Sequence, residues 1–148
     1  MENWTWGLSL IVLTIIIHAT GIAFMALAAH HIRDRMQSEW VRWHALTSMI
    51  GLIGAVGLLL AVLHGIEAVI WATAYWWVGA LRSLQEAMLY SVDSITTRGG
   101  SGLMPEHGGR MMGALEAADG MLLFGISTAF IFWMMQLYAP LIRRPPSC

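Results

Sequence analysis

Apolar residues fall into three long blocks and one short block along this chain, separated by polar or glycine-rich connections. No charged residue occurs from Asn3 to His30, a run longer than the ~20 residues that cross a bilayer as a helix. Trp4 and Trp6 stand where an interfacial aromatic belt would place them. A polar connection, His30 to Arg42, follows. The second block, Ala45–Leu81, is interrupted only by His64 and Glu67. As one helix it would reach about 55 Å, well past a hydrocarbon core of ~30 Å. It therefore predicts a spanning helix over Ala45–Ile70 and then an interfacial stretch carrying Trp71, Tyr75, Trp76 and Trp77. Leu84–Thr96 is too short to span and predicts a re-entrant helix. The last block, Met111–Tyr138, predicts a third span, with Pro140, Pro145 and Pro146 closing the chain.

Composition agrees with a membrane protein. Hydrophobic residues make up 57% of the chain and charged residues 11%, against about 25% charged in soluble domains. The single cysteine, Cys148, excludes a disulfide framework and a cysteine-based metal site. A net charge of −1 gives no nucleic-acid footprint. The start, Met1-Glu2-Asn3-Trp4, lacks the basic region of a cleaved signal peptide. All the basic side chains are arginines. Arg33, Arg35 and Arg42 in the first connection and Arg143 and Arg144 in the tail put both on the cytoplasmic side by the positive-inside rule. The N-terminus and the glycine-rich loop then face outward.

The segment Tyr90-Ser-Val-Asp-Ser-Ile-Thr-Thr-Arg-Gly-Gly-Ser-Gly-Leu-Met-Pro105 lies between the second and third spans. Irregular backbone survives at membrane depth only where protein buries it or it lines a water-filled path. Two threonines running into glycines there suggest main-chain carbonyls aimed at an ion. This order of span, half-span, glycine-rich loop and span resembles the pore domain of the potassium-channel superfamily. In that resemblance Tyr90 and Ser91 precede a carboxylate, Asp93. Thr96 and Thr97 take the place of the filter threonines, and Arg98 that of the valine. Gly99 is kept, Gly100 replaces the tyrosine, Ser101 the second glycine and Gly102 the aspartate, with Pro105 on the family proline. Gly109-Arg110 match the start of the inner helix, Gly120 falls on a hinge position, and Phe124-Gly125 follow in register.

The resemblance implies an all-α membrane protein, three spans plus a re-entrant pore helix and filter loop. Residues 1–43 form an added first helix and cytoplasmic loop. Residues 44–148 form the pore domain, with a pore helix over 84–96, a filter over 96–103 and an inner helix over 110–138. It implies a homotetramer in lipid with no soluble partner, no enzymatic activity and no cofactor beyond a permeant monovalent cation, K+ or Na+. The filter residues would be Thr96, Thr97, Arg98, Gly99, Gly100, Ser101 and Gly102.

The departures from the family pattern matter. A potassium-type filter needs left-handed backbone at its two glycine positions, here Gly99 and Ser101. Glycine adopts it freely, whereas another L-residue is strained by ~1–2 kcal/mol. Gly100 also removes the aromatic brace. A wider, weakly selective cation pore follows. Arg98 in the wall between pore helix and inner helix needs an acid, because a lone buried charge costs several kcal/mol. Asp93, with Glu116 or Asp119 (i and i+3 on the inner helix), would clamp its planar fork and support the filter beside Tyr90. The opposite reading turns Arg98 into the lumen, where four cations on one axis repel.

Other polar residues in the spans have two readings each. His64 and Glu67, i and i+3, form a buried hydrogen-bonded pair, or bind a metal or relay protons with Glu116 or Asp119. His18 is a packing residue bonded to a neighbouring carbonyl. Glu116 and Asp119 pair in the wall or line a cavity as acidic rings. Gly120, Phe124, Gly125 and Thr128 form a hinge and gate region with Phe130, Phe132 and Trp133, or the glycines serve close packing and the aromatics face lipid. His107 and Glu106 are solvated loop residues or a pH sensor. The expected function is passive cation conduction across an inner membrane. The alternative is a non-conducting pore homologue locked by an Arg98–carboxylate pair.

Overall fold

A computed structural model describes residues 2–35, 45–106 and 109–143. The described residues form four helices and no strand: α1 (Glu2–Arg35), α2 (Ala45–Trp77), α3 (Leu84–Ile95) and α4 (Gly109–Arg143). Three of them, α1, α2 and α4, are long and apolar enough to cross a membrane. Most of the first connection, with Arg42, lies outside the described residues, as do His107, Arg144, Pro145, Pro146 and Cys148.

The helix ends follow local chemistry. α2 does not stop near Ile70. It continues to Trp77, because Trp71 and Tyr75 are fully buried core residues and not interfacial ones; Trp76 and Trp77 alone stay exposed. Gly79, at φ +72°, then closes α2, with Gly79 N–H donating to the Trp76 carbonyl and Ala80 N–H to the Tyr75 carbonyl. This paired reverse bonding with a left-handed residue just past the helix is a Schellman cap. Ser83 starts α3: its hydroxyl accepts from Glu86 N–H at 3.1 Å. α4 runs past Tyr138 and takes Pro140 into its last turns.

α1 lies against α2 and α4, and α3 is wedged between α2 and α4. Two apolar clusters fill the interior. One gathers Leu10, Trp71, Tyr75, Ala87 and Met112. The other gathers Ala29, Val56, Leu60, Phe130, Met134 and Tyr138, and the Tyr138 hydroxyl donates to the Ala29 carbonyl at 2.6 Å. The loop after α3 is tied back where Glu106 N–H donates to the Ala80 carbonyl.

Gly120 sets the closest approach. A Cβ there would run into the Ile95 main-chain carbonyl at the end of α3, so the position serves packing in this structure. Gly125 has open space around it. Gly120→Ala is expected to destabilise the fold by about 1–3 kcal/mol and Gly125→Ala to leave it nearly unchanged, compared by thermal unfolding in detergent.

Candidate functional site

The loop that begins at Thr96 hangs from one carboxylate. Asp93, in the last turn of α3, is nearly fully buried. Its Oδ1 accepts from Arg98 Nε at 2.6 Å and its Oδ2 from Ser101 N–H at 2.8 Å. The Arg98 guanidinium and the Ser101 amide together hold this carboxyl down to about 2. The Arg98 side chain is 65% exposed and folds over Gly100. It is therefore not sunk in the wall, and neither Glu116 nor Asp119 is its second acid. Both of those point into the bundle, where other donors hold them.

α3 itself ends in a Schellman cap: Thr97 N–H donates to the Ser94 carbonyl and Arg98 N–H to the Asp93 carbonyl. The left-handed residue of that cap is Thr97, at φ +56°. Glycine is the usual occupant, and a β-branched residue there is strained by about 1–2 kcal/mol. Left-handed backbone recurs at Gly99 (φ +63°) and Gly102 (φ +68°). Gly99 agrees with expectation; Ser101 does not. With its amide committed to Asp93, Ser101 keeps an ordinary φ, and the adjacent glycine takes the turn. From Thr96 to Gly102 all but the half-buried Ser101 are exposed, and no donor among the described residues reaches their main-chain carbonyls.

A second polar set lies inside the bundle, in three layers. In the first, Glu116 Oε2 accepts from the Tyr75 hydroxyl at 2.8 Å, and Glu116 Oε1 bonds Ser91 Oγ. Ser91 Oγ also lies 2.8 Å from the Ala68 carbonyl, which can only accept. Tyr90 packs edge-on against Tyr75, with its hydroxyl over Gly113. In the second layer, Asp119 Oδ2 accepts from the Thr14 hydroxyl at 2.6 Å and from Trp71 Nε1 at 3.2 Å, while the buried Oδ1 has no partner among the described residues. In the third, Glu67 bridges two histidines: His18 Nδ1 is 2.7 Å from Oε1 and His64 Nδ1 3.1 Å from Oε2. The other nitrogens of both rings converge on Ser127 Oγ, at 3.0 and 3.2 Å. His18, His64 and Glu67 each offer a ligand atom, and these lie within 4.8 Å of one another.

The expected His64–Glu67 pair is thus present, but within a four-residue ring. His18 belongs to that ring and bonds side chains, not a carbonyl. Phe124 stacks on His64 with ring centroids 4.2 Å apart. Thr128 is exposed and donates to the Phe124 carbonyl. Of the aromatics assigned to a gate, Phe130 is core and Phe132 exposed. Thr14, Trp71, Tyr75, Ser91 and Ser127 were not legible as site residues. For Thr14, Trp71 and Tyr75 the signal was the four-residue step that stacks Thr14 under His18, and Glu67 under Trp71 and Tyr75, on one helix face.

The comparisons with protein-family models, curated proteins and solved structures found no match for this chain. The reading of the site rests on its own residues.

Two outcomes follow. Thr97→Gly is expected to raise stability by about 1 kcal/mol, read as a higher unfolding midpoint, because it relieves the left-handed strain. Asp93 is depressed below its ordinary 3.8, so its support of the loop is complete above that pH and fades as pH falls toward about 2. The protection of the Ser101 amide, its deuterium-exchange rate relative to the intrinsic rate at each pH, should fall across that window, and Asp93→Asn should remove that fall.

Proposed function

We propose that this chain is one subunit of a cation-conducting membrane pore whose narrow element is the main chain of Thr96–Leu103. The observation that carries the reading is the row of carbonyls from Thr96 to Gly102 that no described donor reaches, at the end of a half-span braced by Asp93. In a water-poor setting such oxygens need a positive partner, and a partly dehydrated cation supplies one. One chain gives one side of such a path, so several copies, four in the family it resembles, enclose it. Three candidate spans support this reading, and with the arginine-bearing first connection and tail taken as cytoplasmic the loop faces the outer side of an inner membrane.

Glycines at 99, 100 and 102 leave the loop without an aromatic brace, and its left-handed positions differ from a strict potassium pattern. The pore is therefore weakly selective among monovalent cations. The exposed Arg98 stays neutralised by Asp93, which limits its repulsion of cations in the path.

One observation favours a second reading. The Arg98–Asp93 pair, at 2.6 Å, could equally lock the loop shut in a non-conducting membrane scaffold. Purified protein in liposomes, assayed for potassium, sodium and calcium flux, separates the two. Conduction predicts passage of both monovalent ions, with Arg98→Gln changing their ratio. A lock predicts no flux from the parent protein and flux only from Arg98→Gln. A chain that stays a single subunit in the bilayer overturns the pore reading altogether.

A further inference from the structure

The ring of His18, Glu67, His64 and Ser127 is built from three helices and serves no step in the proposed conduction path. His18 comes from α1, His64 and Glu67 from adjacent turns of α2, and Ser127 from α4. His18 and Glu67 are fully buried, and the His64 side chain is 11% exposed. We propose that His18, His64 and Glu67 form a binding site for one divalent transition-metal ion inside each subunit.

The donor set fits such an ion. Two imidazoles and a carboxylate suit zinc, iron, cobalt or manganese, and a hydroxyl or water completes four-coordination. Their ligand atoms already lie within 4.8 Å of one another. The His–Glu separations, 2.7 Å to Oε1 and 3.1 Å to Oε2, are about 0.7 and 0.3 Å short of the ~3.4 Å between ligand atoms of a tetrahedral ion with ~2.1 Å bonds. Binding the ion requires the two rings to draw back from Glu67 by those amounts. Phe124 stacked on His64 fixes one ring, and the apolar cluster with Leu60, Phe130 and Met134 packs elsewhere against the same helices.

Hydrogen counting points the same way. An ionised Glu67 can only accept, so both Nδ1 atoms must carry hydrogens. Both Nε2 lone pairs then face Ser127 Oγ, and that hydroxyl has one hydrogen. One Nε2 lone pair is therefore left without a donor. Charge counting agrees. Glu67 and Asp119 are both fully buried, on layers one helical turn apart, and no arginine or lysine pairs with either among the described residues. Asp119 keeps a buried oxygen without a partner. A cation held by Glu67 supplies the positive partner that a buried carboxylate needs.

Protein purified in detergent and stripped with a chelator is titrated with cobalt(II), then zinc. The expected result is one cobalt per chain, with visible absorption bands of tetrahedral intensity that zinc abolishes, and a higher unfolding midpoint with zinc than after stripping. His64→Ala and Glu67→Gln should each weaken binding at least ~10-fold, while His30→Ala, at a ring packed on Trp133 instead, should not. If either site variant fails to fold, stoichiometry and the zinc-dependent midpoint of the parent protein still decide. Substoichiometric cobalt with no shift of the midpoint, or bands that survive both substitutions, overturns the proposal and leaves a hydrogen-bonded ring with one shared proton. Ion flux through liposomes does not enter this test, so the metal site and the pore reading can fail separately.

Discussion

No carboxyl group inside this bundle can be left without a donor, and the packing of the long helices is organised around that requirement. Glu67, Glu116 and Asp119 are all fully buried. Lipid offers helices no hydrophobic drive to associate, since its tails are as apolar as leucine. Buried polar pairs and close backbone packing then decide which faces meet. Asp119 takes Thr14 from α1 and Trp71 from α2; Glu67 takes His18 from α1; Glu116 takes Tyr75 from α2 and Ser91 from α3. Each such contact in a membrane is worth about 0.6 kcal/mol on average, up to ~2 kcal/mol. Rotating one helix would break several contacts together and leave acids unpaired, which costs far more. The polar layers therefore fix register as much as they add stability.

Against that interior the loop after α3 is built differently. From Thr96 to Gly102 its side-chain anchor is a single carboxylate at the end of a half-length helix, and its arginine stays largely in the open. Gly120 brings α4 onto the carbonyl of Ile95, which seats the end of α3 and so the start of the loop. Rigid below and sparsely bonded above, the segment is held at its root and at Ser101, with exposed main chain between. Thr97 adds strain at the root, and strain of that kind clusters where backbone geometry is used for function.

Much of this was readable in the residues. The three long helices and the short one follow from block lengths and the absence of charge. Asp93 as partner of Arg98 follows from its place one turn before Thr97. What failed, failed for physical reasons. Trp71 and Tyr75 read as interfacial because aromatics favour that zone, but their N–H and O–H found acids on a neighbouring helix. Glu116 and Asp119 share a face by spacing, yet spacing does not say which elements the face meets; it meets α1, α2 and Ser91 of α3, and not Arg98. His18 has no acid within its own block, and its carboxylate partner, Glu67, is 49 residues away in sequence. The left-handed turn at Gly102 replaced one at Ser101 because a side chain claimed the Ser101 amide.

α1 supplies Thr14 and His18 to acids on both later spans. That matters during synthesis. An acidic residue at the centre of a span makes insertion unfavourable by roughly 2.5–3.5 kcal/mol. Because α1 precedes α2 and α4 in the chain, Glu67 and later Asp119 leave the translocon into a bilayer where their hydrogen-bond donors are already waiting. Chain order here acts as an assembly instruction, with the first helix a resident chaperone for the helices behind it.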